Sequence, residues 1–315
     1  MSKIAFIYPG QGAQKAGMGA DFYENSEIAR YIFDQAGEEL DLDMKELCFE
    51  ENVRLDLTEY TQAAMVTTCL AMTRVAESKG LKADITAGLS LGEYPAIAAA
   101  GGMNDMDAIR LVRKRGILMQ NTVPAGEGAM CAVISMAAEE IEKVIEPIAD
   151  VSVANYNCPG QIVITGKTDA VEEAAAKLKE AGARRTIMLN VSGPFHSQML
   201  VPAGEKLAEE LEHTRFHELR IPYVTNVTAE KVTDIRETPG LLTTQISSPV
   251  RWMQSMERMI ADGVDTFVEI GPGKTLEGFL RKIDRSVKVF HISQWEDVDK
   301  VCEKLADGGN RMEES

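Results

Sequence analysis

The sequence has few cysteines and no pairing pattern among them. Cys48, Cys69, Cys131, Cys158 and Cys302 are odd in number and scattered, and no Cys-x-x-Cys occurs. That argues against a disulfide framework or a structural zinc and for a reducing, cytoplasmic setting. Long apolar runs are also missing, so no segment approaches the length of a membrane span. The opening residues, Met1 to Tyr8, lack a long apolar region and a small-residue cleavage site, and read as a first strand rather than a signal peptide. Basic charge is in deficit: 33 Lys and Arg against 49 Asp and Glu give a formal net charge of −16. That argues against nucleic acid or an anionic membrane as the main partner. Internal repeats and low-complexity segments are absent too. What is there, 315 residues with 45% hydrophobic and 26% charged, suits a soluble globular protein of one large domain or two.

Along the chain, the first strand stops at Pro9-Gly10-Gln11-Gly12. Helical patterns follow to about Cys48 and from Gln62 to Lys79. A strand is predicted over Ala83–Ala87, then a helix over Tyr94–Ala100 and another over Asp105–Asn121 with Asn104 as its N-cap. Composition changes at Pro124-Ala125-Gly126-Glu127-Gly128. From there strand Ala129–Ser135, helix Ala137–Ile148, strands Val151–Tyr156 and Gln161–Thr165, helix Asp169–Ala181 and strand Arg185–Val191 make a βαββαβ order. This predicts a ferredoxin-like small subdomain, 125–191, inserted into a large α/β domain, 1–124 with 192–315, built on a mostly parallel sheet. The large part resumes with helix Ala203–Glu212, strand Ile221–Asn226, helix Pro249–Asp262, strand Thr266–Ile270, helix Thr275–Ile283 and strand Val287–Ile292. The tail from Asp307 to Ser315 is polar and is expected to fray.

The strongest chemical signal is Gly88-Leu89-Ser90-Leu91-Gly92. Gly-x-Ser-x-Gly alone arises often by chance. Here a strand precedes it and a helix follows, the context in which a sharp turn lifts a serine hydroxyl out of a sheet. The alternative for Ser90 is an ordinary helix-capping serine. Gly10-Gln11-Gly12 after strand one lacks the third glycine of a dinucleotide loop, because Lys15 stands there. A turn beside the Ser90 elbow, placed to supply an oxyanion donor, is the better reading. Gly271-Pro272-Gly273-Lys274-Thr275 resembles the end of a phosphate loop, but Val268 occupies the position of its first glycine.

Of the four histidines, His213 and His217 sit four apart in an acidic segment, with Thr214 where a zinc-protease glutamate would be. Both read as surface. His291 lies on a predicted strand. His196 follows Ser192-Gly193-Pro194-Phe195, where the chain re-enters the large domain, and position alone leaves a general base and a structural role both open. On a helical wheel over Asp105–Asn121, Ala108, Leu111, Val112, Leu118 and Met119 share an arc centred on Arg115. Arg110, Arg113 and Lys114 lie opposite; Ile117 breaks the pattern. A guanidinium on an apolar face needs a partner, because burying a lone charge costs several kcal/mol. A protein carboxylate and a ligand carboxylate both fit its planar fork.

Taken together, the chain resembles the malonyl-CoA:acyl carrier protein transacylases of bacterial fatty-acid synthesis. The resemblance runs in family order from Pro9-Gly10-Gln11-Gly12-Ala13-Gln14 through Gly88-Leu89-Ser90-Leu91-Gly92-Glu93-Tyr94, Arg115-Gly116-Ile117-Leu118-Met119-Gln120, Asn155-Tyr156-Asn157-Cys158-Pro159-Gly160-Gln161 and Pro194-Phe195-His196-Ser197. It ends with Gln245-Ile246-Ser247-Ser248-Pro249-Val250 and Glu269-Ile270-Gly271-Pro272-Gly273. It implies Ser90 as acylated nucleophile, His196 as general base and acid, and Gln245 as the residue whose carbonyl orients the histidine. It implies an oxyanion hole at the Gln11 and Leu91 amides, Arg115 on the malonyl carboxylate, and Asn155 and Asn157 along the cleft between subdomains. Phe195 resembles malonyl-selective members. One departure is Leu89, where the family usually has histidine. The implied fold is a hydrolase-like α/β domain carrying the ferredoxin-like insert. The implied partners are malonyl-CoA and acyl carrier protein, with no metal or redox cofactor. Rival readings are a serine thioesterase or esterase, which would nominate His291 by chain order, a polyketide-synthase loading enzyme, and an idle scaffold.

Overall fold

The computed structural model describes residues 2–191 and 193–310. In the first third, β1 (Lys3–Tyr8) leads into helices α1 (Ala20–Asn25), α2 (Glu27–Leu40), α3 (Met44–Phe49) and α4 (Thr58–Ser78), then β2 (Ile85–Gly88), α5 (Glu93–Ala99) and α6 (Asp105–Thr122). The middle holds β3 (Gly128–Ile134), α7 (Ala138–Ile145), β4 (Val151–Cys158), β5 (Gln161–Lys167), α8 (Thr168–Glu180) and β6 (Arg185–Met188). The remainder holds α9 (Val201–Glu212), β7 (Tyr223–Val224), β8 (Lys231–Val232), α10 (Thr238–Gln245), α11 (Trp252–Ala261), β9 (Val264–Ile270), α12 (Thr275–Ile283), β10 (Lys288–Ile292) and α13 (Trp295–Asn310).

Two sheets result. The larger runs β10-β9-β1-β2-β7-β8, with every neighbouring pair parallel except β7 and β8. Its central strands read as unbroken buried runs because helices cover both faces. The smaller is antiparallel, β4-β5-β3-β6, and its chain order β3-α7-β4-β5-α8-β6 is the expected ferredoxin-like βαββαβ. It has its own core, in which Val133, Ile141, Ile164, Val171 and Leu178 pack together. A two-bond bridge ties β4 to the segment between α10 and α11. Tyr156 N donates to Val250 O at 2.9 Å, and Val250 N to Ala154 O at 2.8 Å.

Several expected boundaries shift for physical reasons. The helix expected from Pro249 starts at Trp252, because Val250 is committed to that bridge. The strand expected over Ile221–Asn226 is paired only at Tyr223–Val224, and Asn226 turns toward the end of β2. Asn104 occupies the N-cap position of α6, but its side chain makes no capping bond and reaches Asp107 instead. Helix α13 was not anticipated. It seats Val298 and Val301 in the core and takes in 307–310, part of the tail expected to fray; 311–315 lie outside the described residues. No helix among the described residues is long and apolar enough to cross a membrane.

Strands β1, β2 and β9 all run the same way, so their carboxyl ends share one edge. The segment after β1 (Pro9 to Gly12), the elbow after β2 (Leu89, Ser90) and the start of α12 (Thr275, Leu276) line a single cavity of about 690 Å³ there. In an open α/β sheet this is where ligands bind, outside the strand ends at the point where strand order reverses.

Candidate active site

Ser90 stands directly beyond β2 with φ of 55°, a left-handed conformation that non-glycine residues seldom hold. Its neighbours make the turn possible. A Cβ on Gly88 would lie 1.8 Å from Gly92 O, so no other residue fits beneath the returning chain. Asn226 then locks the turn from the side. Its Oδ1 accepts from Ser90 N at 2.7 Å, and its Nδ2 donates to Gly88 O at 2.7 Å. Leu89, where the family pattern has histidine, packs in an apolar cluster with Ala87, Val250, Trp252 and Phe279 and forms part of the cavity wall. Its N–H donates to Tyr8 O at 3.0 Å, so the backbone of the elbow needs no side-chain hydrogen bond there.

His196, like Ser90, is held in left-handed backbone, at φ of 60°. Its Nδ1 faces two carbonyl oxygens, Gln245 at 2.9 Å and Ser248 at 3.1 Å. Only an N–H can sit there, so the proton belongs on Nδ1 and Nε2 is left as an acceptor. That nitrogen lies 2.8 Å from Ser90 Oγ. Burial pushes the imidazole down to about 4, the Arg115 charge adds to the fall, and the two carbonyl bonds oppose it. The ring is therefore neutral at neutral pH, the state a general base requires. Ser192, part of the loop expected to hold this histidine, lies outside the described residues.

Arg115 is completely buried. The close crossing of α6 on α4 puts it there: a Cβ on Gly116 would come within 2.8 Å of Thr58 O. Its NH1 donates to Gln62 Oε1 at 2.8 Å, and its NH2 to Gln245 Oε1 at 3.0 Å and Ser90 Oγ at 3.2 Å. Among the described residues no carboxylate pairs with it and its Nε has no partner. The guanidinium thus stands behind the nucleophile with spare donor capacity and neutral acceptors only. Of the two partners open to it from sequence, the protein carboxylate is not in place.

Gln11, Ser90, Asn155, Asn157, Phe195 and His196 all line the cavity, while Leu91, Arg115 and Gln245 are not among its lining residues. Gln11 is anchored by a bond from its Nε2 to Thr58 Oγ1 at 3.1 Å. Among the described residues the Gln11 and Leu91 amides have no hydrogen-bond acceptor, which leaves both for an oxyanion. Asn155 is fixed by the bridge to Val250, and Asn157 Oδ1 is buried without a partner among the described residues. His291 is engaged elsewhere, 3.2 Å from Glu277 on the edge strand. His213 is exposed and His217 half-buried. The turn at Gly271–Thr275 is no phosphate loop in fact: the helix amides of Leu276 and Glu277 donate to the buried Glu269 carboxylate at 3.1 and 2.8 Å. Among the described residues no cluster of three His, Cys, Asp or Glu could hold a metal.

Sequence reasoning missed three supporting residues, Gln62, Glu93 and Asn226. Glu93 is completely buried; its Oε2 accepts from Gln245 Nε2 at 2.6 Å and Asn226 N at 3.1 Å. Burial pushes its carboxyl up, against the Thr225, Gln245 and Asn226 donors and the Arg115 charge. A signal existed for one of them: Glu93 opens an otherwise apolar helix.

Known proteins resemble this chain over nearly its whole length. Residues 5–296 match the acyl transferase domain family. Malonyl CoA-acyl carrier protein transacylase of Bacillus subtilis (strain 168) is 44% identical over 310 residues, covering 97% of this chain and 98% of the relative. The crystal structure of malonyl CoA-acyl carrier protein transacylase from Clostridium perfringens is 42% identical and superposes with a TM-score of 0.95, covering 99% of this chain and 100% of that one. A malonyl-transacylase solved in complex with its type II polyketide-synthase acyl-carrier protein is 36% identical with a TM-score of 0.93, covering 96% and 100%. With the elbow serine, its histidine and near full-length matches in hand, the chain belongs to the acyl transferase domain family, within the malonyl CoA-acyl carrier protein transacylases.

Proposed function

We propose that this chain moves the malonyl group from malonyl-CoA to the pantetheine thiol of acyl carrier protein through a Ser90 ester, in cytoplasmic fatty-acid synthesis. One observation carries the reading: Ser90 Oγ lies 2.8 Å from a neutral imidazole nitrogen and 3.2 Å from a buried guanidinium. The first partner makes a nucleophile. The second sits within reach of a carboxylate on the acyl group that Oγ receives.

In the first half-reaction His196 Nε2 takes the Oγ proton while Oγ attacks the thioester carbonyl. The carbonyl oxygen becomes an oxyanion held by the Gln11 and Leu91 amides, each donor contributing about 3–4 kcal/mol. The C–S bond breaks, and the imidazolium gives its proton to the CoA sulfur. In the second half-reaction the carrier thiol loses its proton to Nε2 and attacks the ester. The C–Oγ bond breaks and the proton returns to Oγ. Gln245 holds the imidazole through its backbone carbonyl, and Arg115 holds the malonyl carboxylate throughout. Asn155, Asn157 and Phe195 guide the acyl-thioester arm in a cleft between two bodies, 1–124 with 192–315 and 125–191.

Intact-mass measurement tests this. Protein mixed with malonyl-CoA alone is expected to carry one malonyl adduct on Ser90, stable until holo carrier protein is added and absent in Ser90→Ala. An adduct that decays in water as fast without carrier as with it would make the chain an esterase. An adduct that persists in Ser90→Ala would remove Ser90 from the mechanism.

A further inference from the structure

Glu93 takes no part in the steps above, yet it is a fully buried acid one side chain away from all of them. We infer that Glu93 is a positioning residue for acyl-group selection: it is the counter-charge that aims the Arg115 guanidinium, acting through the side-chain amide of Gln245. The inference rests on the proposed role of Arg115.

Three contacts make the relay. Glu93 Oε2 accepts from Gln245 Nε2 at 2.6 Å, and Gln245 Oε1 accepts from Arg115 NH2 at 3.0 Å. The same NH2 reaches Ser90 Oγ at 3.2 Å. An amide between an anion and a cation has one orientation. Flipping it would set N–H against guanidinium and oxygen against carboxylate. With the amide fixed, NH2 is fixed beside the nucleophile. The distance of the anion matters as well. A carboxylate in direct contact with Arg115 would occupy the donors that a substrate carboxylate needs. Placed one amide away, Glu93 in its ionised form, reached above about pH 7 because burial pushes the carboxyl up, offsets the buried positive charge and leaves the fork unoccupied by any acid. Glu93 also accepts from Asn226 N at 3.1 Å, so the elbow and the guanidinium share an anchor.

A purely structural Glu93 would hold Asn226 and the elbow and nothing more. The ratio of malonyl to acetyl transfer separates the two roles, because a disordered elbow slows both thioesters alike. Glu93→Gln keeps the size and removes the charge. Its malonyl-to-acetyl ratio of kcat/KM is expected to fall about tenfold, a loss of acyl-group recognition. In an Arg115→Ala background the same substitution is expected to leave the ratio unchanged, since the residue it acts through is gone. Equal loss with both thioesters in Glu93→Gln, or a ratio change that persists in the Arg115→Ala background, would overturn the inference. If Glu93→Gln does not fold, Gln245→Met breaks the relay while keeping both Glu93 and the carbonyl that binds His196. Its ratio is expected to fall to a similar extent, and an unchanged ratio would overturn the inference too. Failure of the underlying reading looks different: Arg115→Ala alone would then leave the ratio unaltered.

Discussion

Arg115→Ala is the most informative single perturbation. The side chain is completely buried, and its NH2 lies 3.2 Å from the hydroxyl proposed to carry the acyl group. A charge-assisted hydrogen bond to a carboxylate contributes about 1.5–3 kcal/mol, with more where water is excluded. On that scale malonyl-CoA is expected to lose roughly ten- to 150-fold in kcat/KM. Acetyl-CoA has no carboxylate to lose a partner, and its acyl group no longer faces a buried cation, so its transfer is expected to hold or improve. The substitution also strips a donor from Gln62 Oε1 and from Gln245 Oε1. Each orphaned buried acceptor costs about 1–3 kcal/mol of stability unless water replaces the donor. Acetyl transfer therefore serves as the internal control for an intact site, with a thermal melt beside it. Arg115→Lys is expected to recover part of the preference, because an ammonium carries the charge without the planar fork. A fall by the same factor for both thioesters would show that the guanidinium only braces Gln62 and Gln245, and the carboxylate-recognition argument would be wrong.

Further outcomes are expected at His196 and at the carrier-docking surface. His196 is held down to about 4 against 6.5 for a free imidazole, so labelling of Ser90 by an uncharged sulfonyl fluoride should persist through pH 6.5 and fail only toward pH 4, and a midpoint at 6.5 would contradict its burial. Arg115→Ala should move that midpoint up, because the guanidinium charge contributes to the depression. Between about 4 and 6.5 the unfolded chain binds a proton that the folded one does not, so this site's contribution to stability is full above 6.5 and is lost as pH falls through that window. For the carrier protein two basic patches are candidates, Arg110, Arg113 and Lys114 on α6, and Arg281, Lys282, Arg285 and Lys288 from the end of α12 to the start of β10, and their pairing separates them. Arg110, Arg113 and Lys114 are each tied to acids, whereas Arg285 and Lys288 are exposed without ion pairs among the described residues, beside a helix whose Thr275, Leu276 and Phe279 line the cavity. Reversing Arg285 and Lys288 to Glu should raise KM for carrier protein severalfold, less so in high salt, with malonyl-CoA unaffected; equal effects on both substrates would count against docking there.

The parts of the fold that were legible are those in which burial and polarity agree. Strand β1 shows an apolar run because both its faces are covered, and α6 shows its apolar arc because one side meets α4 and the other meets water. Helix α10 was missed for the opposite reason. Its buried residues are Thr238, Leu242 and Gln245, a proper helical spacing in which two of three members are polar. A reading that equates buried with apolar has no way to see it. The two-residue strands β7 and β8 are too short to leave an alternating pattern.

The same limit explains how much of the site could be read. Ser90 and His196 sit at chain turns marked by glycine and proline, which sequence displays directly. Arg115 announced itself as a charge in the wrong place. Gln62 and Asn226 did not, and Glu93 showed only as an acid opening an apolar helix, because their role is to satisfy other buried groups and no local rule demands them. Their necessity appears only after the chain has closed. A serine at φ of 55° and a histidine at φ of 60° each store about 1–3 kcal/mol of strain, and they persist because surrounding bonds over-determine them. Asn226 supplies two of those bonds at Ser90, and Gln245 and Ser248 supply the two at His196. Glu93 then ties Asn226 to Gln245 with one oxygen. The strain at both reacting residues is thus held from a common point, Glu93, through Asn226 and Gln245, which lie 136 and 155 residues along the chain from the serine they serve. That is why the nucleophile could be found from its neighbours in sequence, and the machinery that aims it could not.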